Sequence, residues 1–131
     1  MPLGNNPYVV TKLASANISA FTAVTQDLSN DDSVVQATAN QRQLGIAPEY
    51  DTLAGDSLPV TVGGLAYAIY GASVTRGDRL TNDSLGRLIP IATSGTTRQN
   101  VIGIAADSGV VNGVYLVQVE IYQETPGDYL S

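Results

Sequence analysis

The sequence predicts an all-β protein: a single small barrel or two-sheet sandwich of short, mostly antiparallel strands, with an extended N-terminal arm. Three observations predict it. Apolar residues make up 44% of the 131 residues, yet there is no Trp, one Phe and one Met, so Val, Leu, Ile and Ala must build the core with seven Tyr adding bulk. Such a β-branched and aromatic palette favours strands. Thirteen Gly and six Pro then cut the chain into short pieces. In residues 114–122, finally, Tyr115, Val117, Val119 and Ile121 alternate with Val114, Leu116, Gln118 and Glu120, the pattern of a strand with one face more buried.

The elements follow in order. Residues 1–17 open with the turn-formers of MPLGNNP and offer one short apolar run at Tyr8–Val10, which reads as an arm ordered against a partner. From Ile18 the text becomes apolar stretches divided by Gly, Asn, Asp and Ser, with strands expected at 20–26, 33–38, 44–48, 57–62, 65–70, 87–92, 101–106 and 114–122. Between the fourth and fifth, Gly63-Gly64 reads as a two-residue hairpin or a sharp bend. SVVQATANQRQL has room for one helical turn and nothing longer. The β domain then spans 18–122 and leaves 123–131 as a tail. One stretch echoes another: LGIAPEYDTLAGDSLPVTV (44–62) resembles IGIAADSGVVNGVYLVQVEI (102–121), each an aliphatic-Gly-Ile-Ala strand, a connection and an alternating strand. Setting Leu58 against Val117 makes the second copy one residue longer.

Composition excludes several functions. Net charge is −6, with one Lys and five scattered Arg, so no basic stripe exists to neutralise phosphates, and nucleic acid is not the partner. No apolar run is long enough for a membrane span, and the first residues lack the charged start and apolar stretch of a secretory signal, which points to synthesis in the cytoplasm. Without His or Cys, the usual base and nucleophile-activator are missing, and no glycine-lysine phosphate loop is present. The adjacent pair Asp31-Asp32 sits in LSNDDS, turn language rather than a glycosidase dyad. Asp27, Asn30, Asp31 and Asp32, or Asp78, Asn82 and Asp83, offer oxygens to a cation but lack calcium-loop spacing. No enzyme, cofactor or metal site is expected.

Residues 74–80 read VTRGDRL, and Arg76-Gly77-Asp78 spells an adhesion signal. The same Gly-Asp pair recurs at Gly55-Asp56, again just before an aliphatic strand residue. Gly takes a positive φ cheaply and Asp bonds nearby amides, so Gly55, Asp56, Gly77 and Asp78 read as structural turns. Tyr67 and Tyr70 fall on opposite faces of a regular strand. Tyr enriches protein interfaces, so the tyrosines near the ends, Tyr8, Tyr122 and Tyr129, together with Pro7, Val9 and Val10, are the candidate contacts with a partner or another subunit.

The order of ISAFTAV (18–24), QLGIA (43–47), GDRLTNDSLGRLIP (77–90) and VIGIAADSGVVNGVYLVQVEI (101–121) resembles the small capsid decoration, or cement, proteins of tailed bacteriophages. The resemblance covers Ile18 to Ile121. It departs at Phe21, where a small turn residue is usual, at Leu44 and at Arg87. It implies a compact β-barrel or β-tulip-like domain on the outer surface of a phage head, with no cofactor, that clamps neighbouring major capsid proteins against the pressure of packaged DNA. It implies a homo-oligomer too, with a trimer favoured and a dimer as the alternative. The alternative is a surface adhesion or receptor-binding module using the Arg76–Asp78 loop.

Overall fold

In a computed structural model, residues 8–39, 41–92 and 98–124 are described. They form nine strands: β1 (Tyr8–Ala14), β2 (Ala23–Gln26), β3 (Ser33–Gln36), β4 (Gly45–Ile46), β5 (Ser57–Ile69), β6 (Arg79–Asn82), β7 (Leu88–Pro90), β8 (Gln99–Ala105) and β9 (Val114–Glu124). No helix occurs among the described residues. The first five strands run in the order β1-β3-β2-β4-β5, and β5 pairs back onto β1, so this sheet closes into a barrel. All its pairings are antiparallel except β1 with β3. Closure covers most of the sheet edges that a small open sheet would leave bare, although β3 meets β1 only at Leu13 and Ala14.

A second barrel follows on the same plan. Its strands run β5-β9-β8-β6-β7, and the parallel bridge between Tyr70 and Leu88 returns β7 to the end of β5. That bridge is the counterpart of the parallel pair Ala14–Val34 in the first barrel. The registers superpose: Val24 faces Gln36 and Gly45, and Leu80 faces Pro90 and Gly103. Val10 faces Val60, as Ala66 faces Val117. Loop hydrogen bonds repeat as well. Ala14 N donates to Asp56 O and Tyr70 N to Gly113 O, both at 2.9 Å, while the Ile18–Thr52 and Val74–Gly109 bridges match. The chain is thus a tandem pair of like barrels that share β5, whose first half ends one and whose second half begins the other.

The core tracks this doubling. In the first barrel Ala14, Ile18, Val24, Val34, Ala47, Leu58 and Val60 are buried together. Their counterparts Tyr70, Val74, Leu80, Leu88, Ala105, Tyr115 and Val117 build the second core. Where the first barrel packs Ala14 near Leu58, the second packs two rings: Tyr70 and Tyr115 stack with centroids 4.8 Å apart and planes at 28°. Added volume must be relieved elsewhere, because interiors are close-packed. The relief is Gly109 and Gly113, where any Cβ would collide with the Tyr115 ring, at the places that Thr52 and Asp56 hold in the first barrel. Ala23, Ala37 and Ile46 of the first barrel pack into the second core and join the two.

The structure departs from the sequence reading in four places. Residues 8–14 are extended, but they are a barrel strand paired with β5 and do not stand off as an arm. The two strands expected at 57–62 and 65–70 are one, because Gly63 and Gly64 do not turn the chain back; Gly64 has φ of 82° and only bends β5 as it passes between barrels. Residues 79–82, absent from the expected strands, form β6, which carries Leu80 into the second core. Strand β9 runs on to Glu124, into the stretch read as tail, whereas β3 falls within the strand expected at 33–38.

Candidate functional site

The four predicted turn residues lie on loops, although among the described residues no side-chain bond of Asp56 accompanies its backbone bonds to Ala14 and Leu53. Gly55 and Gly77 have φ of 92° and 93° with open space where a Cβ would be. Asp78 Oδ2 accepts from Thr75 N at 2.9 Å, Arg76 Nε donates to Ala106 O at 3.1 Å and Arg76 N donates to Ser108 Oγ at 2.8 Å. The Arg76–Asp78 triplet is therefore tied back to the barrel at both ends. The two Gly-Asp pairs are not copies of one another, however. The counterpart of Gly77 is Phe21, at φ 64°, and that of Gly55 is Asn112, at φ 66°. The fold demands left-handed backbone at these points whatever residue is present, and non-glycine residues accept it at a cost of about 1–2 kcal/mol.

The acidic turns are likewise occupied by the protein's own groups. Gln26 Nε2 faces the carbonyl oxygens of Asn30 and Asp31, both at 2.9 Å, and of Ser33 at 3.0 Å. The oxygens that a cation would need thus surround a side-chain amide. Asp27 accepts from the Ser15 hydroxyl and the Ser29 amide, which hold its carboxyl below the ordinary range, the hydroxyl contributing most. Asp83 is held by Arg87 Nε at 2.9 Å. Among the described residues no three His, Cys, Asp or Glu side chains gather as a metal site. No helix among them is long and apolar enough to cross a membrane.

The candidate contact residues divide. Pro7 and Tyr129 lie outside the described residues. Tyr8 and Val9 are 76% and 46% exposed at the start of β1, while Val10 turns toward the first core. Val9 lines an open groove of about 490 Å³ that crosses the outer face of β5 where the barrels meet. Its other walls include Pro59, Leu65, Tyr67 and Leu116 on the strands and Tyr50 on the loop after β4. Tyr67 is 49% exposed there, whereas Tyr70, three residues on, is fully buried, the opposite facing that strand period predicts. Tyr50 was missed by the sequence reading. It lies in an irregular loop, PEYDT, where no periodicity marks its facing.

Tyr122 belongs elsewhere, in a polar cluster on the second barrel. Its hydroxyl donates to Glu124 Oε1 at 3.2 Å, and Glu124 Oε2 lies 3.0 Å from Arg79 Nη1. Burial, followed by the Glu124 charge, raises the Tyr122 pKa. Gln43, in the loop before β4, reaches a second polar group on the second barrel. Its Nε2 donates to Asn82 Oδ1 at 2.8 Å and to Asn100 O at 3.0 Å, and Asn82 Nδ2 donates to Thr38 O at 2.9 Å. Gln43 and Asn82 are both buried. Buried polar groups specify a geometry only when they are paired, and these pairs join one barrel to the other.

The surfaces left for a partner are thus the groove with its tyrosines and the exposed loops. No family model matches the sequence, and no curated relative matches it. Among solved structures the fold is similar to the crystal structure of the head fiber gp8.5 N base of bacteriophage phi29. The TM-score is 0.66 at 19% identity, over 88% of this chain and 95% of that chain.

Proposed function

We propose that this protein is a structural component of a phage virion, a decoration protein on the outer surface of the head that clamps neighbouring major capsid proteins. The observation that carries this reading is the likeness in fold to a phage head-fibre base over nearly the whole of both chains. The order of sequence segments from Ile18 to Ile121 supports it independently. So does the design of the barrels: two closed cores, joined through one continuous strand and a buried polar cluster, form a stiff body suited to bearing load between partners. The role is mechanical, without a cofactor. The protein acts as a homo-oligomer, with a trimer favoured over a dimer, because several modest contacts on one rigid assembly reinforce each other through effective concentration.

The test is on assembled heads. The chain is expected in copy number comparable to the major capsid protein, and heads stripped of it are expected to release DNA at lower temperature and to recover when purified protein is restored. A few copies per virion with unchanged head stability would overturn the reading.

One observation favours a second reading, a host-attachment module: the similar phi29 protein is a fibre base. On that reading the loop at Arg76–Asp78 is the obvious candidate. Its anchoring by Thr75, Ser108 and Ala106 speaks against it, since an adhesion loop presents its charged side chains free. Host binding that survives Asp78→Ala, alongside lost head stability in virions lacking the chain, separates the two.

A further inference from the structure

We infer that copies of this chain join through the groove at the barrel junction and the bare edge of β1, the occupant of each groove being a second copy. This inference rests on the oligomeric reading above. Strand β1 pairs with β5 from Tyr8 to Leu13, but β3 covers only Leu13 and Ala14 on its other side. Leu13 N, which donates to Asp32 O, shows which residues aim their amides at that side. By alternation Val9 and Thr11 aim theirs the same way, beyond the reach of β3. Among the described residues no strand covers this edge before Leu13, and an extended edge left open is a template for another chain.

The groove beside this edge has interface chemistry. Val9 belongs to both, and Tyr8, Tyr50 and Tyr67 are all about half exposed or more. Large rings with a polar tip and a neutral setting are what interface centres collect. Charge selects the occupant. The chain carries −6, so two copies repel over most of their surfaces. Of the eleven residues lining the groove only Glu49 is charged, so like copies meet there with little Coulomb cost. A basic partner would be drawn instead to the acidic loops at Asp27–Asp32 and Asp51–Asp56. A small ligand is a poorer fit, because such sites place several polar groups deep in an enclosed cavity.

The experiment is sedimentation of the full chain over a range of concentrations, with circular dichroism to establish that each variant is folded. Tyr67→Asp and Val9→Asp are expected to weaken self-association at least about tenfold, the effect of losing one well-buried anchor. Leu85→Asp, which alters an exposed apolar residue outside the groove, is expected to leave association unchanged. The protein has no cysteine, so Thr11→Cys introduces a unique thiol. Its alkylation is expected to slow at least about tenfold as the oligomer forms. Association that grows weaker with added salt would indicate a charged contact and overturn the assignment of this face. An oligomer untouched by Tyr67→Asp and Val9→Asp, with Thr11→Cys freely alkylated, would overturn the face while leaving the oligomeric reading intact. A wild-type chain that stays monomeric at high concentration would overturn both.

Discussion

Gly45 and Gly103 meet their neighbouring strands in the same way. A Cβ on Gly45 would lie 2.7 Å from Val60 Cγ1, and one on Gly103 would lie 2.9 Å from Val117 Cγ1, with a backbone carbonyl closer still in each case. These glycines let β4 approach β5 and β8 approach β9, so close approach is built into both barrels at one equivalent point. Gly45→Ala and Gly103→Ala are each expected to destabilise by about 1–3 kcal/mol, the usual cost of overpacking a fixed backbone. Urea denaturation would show two comparable drops in midpoint. If only one position is sensitive, the barrels do not share this constraint.

The neighbours Gly63 and Gly64 are expected to differ sharply. A Cβ on Gly63 would touch Tyr8 Cβ at 3.5 Å, an ordinary contact, and Gly63 is not in left-handed backbone. Gly64 has φ of 82°, where an L-residue is strained. Gly63→Ala should therefore be neutral to mildly stabilising, through lost freedom of the unfolded chain, and Gly64→Ala should cost about 1–2 kcal/mol. Thermal midpoints of the two variants read the difference directly.

Alkaline pH is expected to weaken the fold through Tyr70. Burial first, then the Asp107 charge, pushes its pKa from 10.0 up to about 12. The folded protein then keeps a proton that the unfolded chain has released, so this contribution is full below 10.0 and is lost as pH rises toward 12. Tyr70→Phe removes the titration together with the 2.8 Å bond to Asp107 O, at a cost of about 1 kcal/mol at neutral pH. Its stability curve should be flatter on the alkaline side, with the raised Tyr122 leaving a residual slope. An unchanged slope would remove Tyr70 as the source.

Much of this architecture was legible in the sequence, and the reasons for the misses are physical. The echo between 44–62 and 102–121 survives, but the true register sets Val60, not Leu58, opposite Val117, because strand pairing and not loop length fixes it. The other half of each repeat went unseen. ISAFTAV and VTRGDRL occupy equivalent places, yet they share little chemistry beyond the aliphatic residues that face the core. Phe21 stood out as an oddity in a turn, and its positive φ shows why glycine is at home in its counterpart. The groove was half visible through Val9 and Tyr67. Its remaining walls come from a loop and from β9, which only the tertiary fold brings alongside.

The Arg76–Asp78 turn is expected to matter for local order more than for recognition. Asp78→Ala loses the bond from Thr75 N and should cost about 1 kcal/mol, while Arg76→Ala removes one exposed bond to Ala106 O and should cost less. Neither is expected to change attachment of virions to host cells. Loss of attachment in Arg76→Ala, with the fold intact, would revive the receptor reading.

The buried amides at the barrel junction offer the clearest test that the two barrels act as one body. Gln43 donates from the first barrel to Asn82 and Asn100 of the second, and Asn82 returns a bond to Thr38 O. Removing either side chain strands a buried partner, which costs about 1–3 kcal/mol per group. Gln43→Ala and Asn82→Ala should therefore each destabilise, and the double variant should lose less than the total of the two single losses. A coupling of about 1 kcal/mol or more in that cycle is expected for residues in direct contact. Strict additivity would mean that the amides hold their own barrels separately. In that case denaturation monitored at β1 and at β9 should also separate into two transitions, whereas a coupled junction predicts a single one.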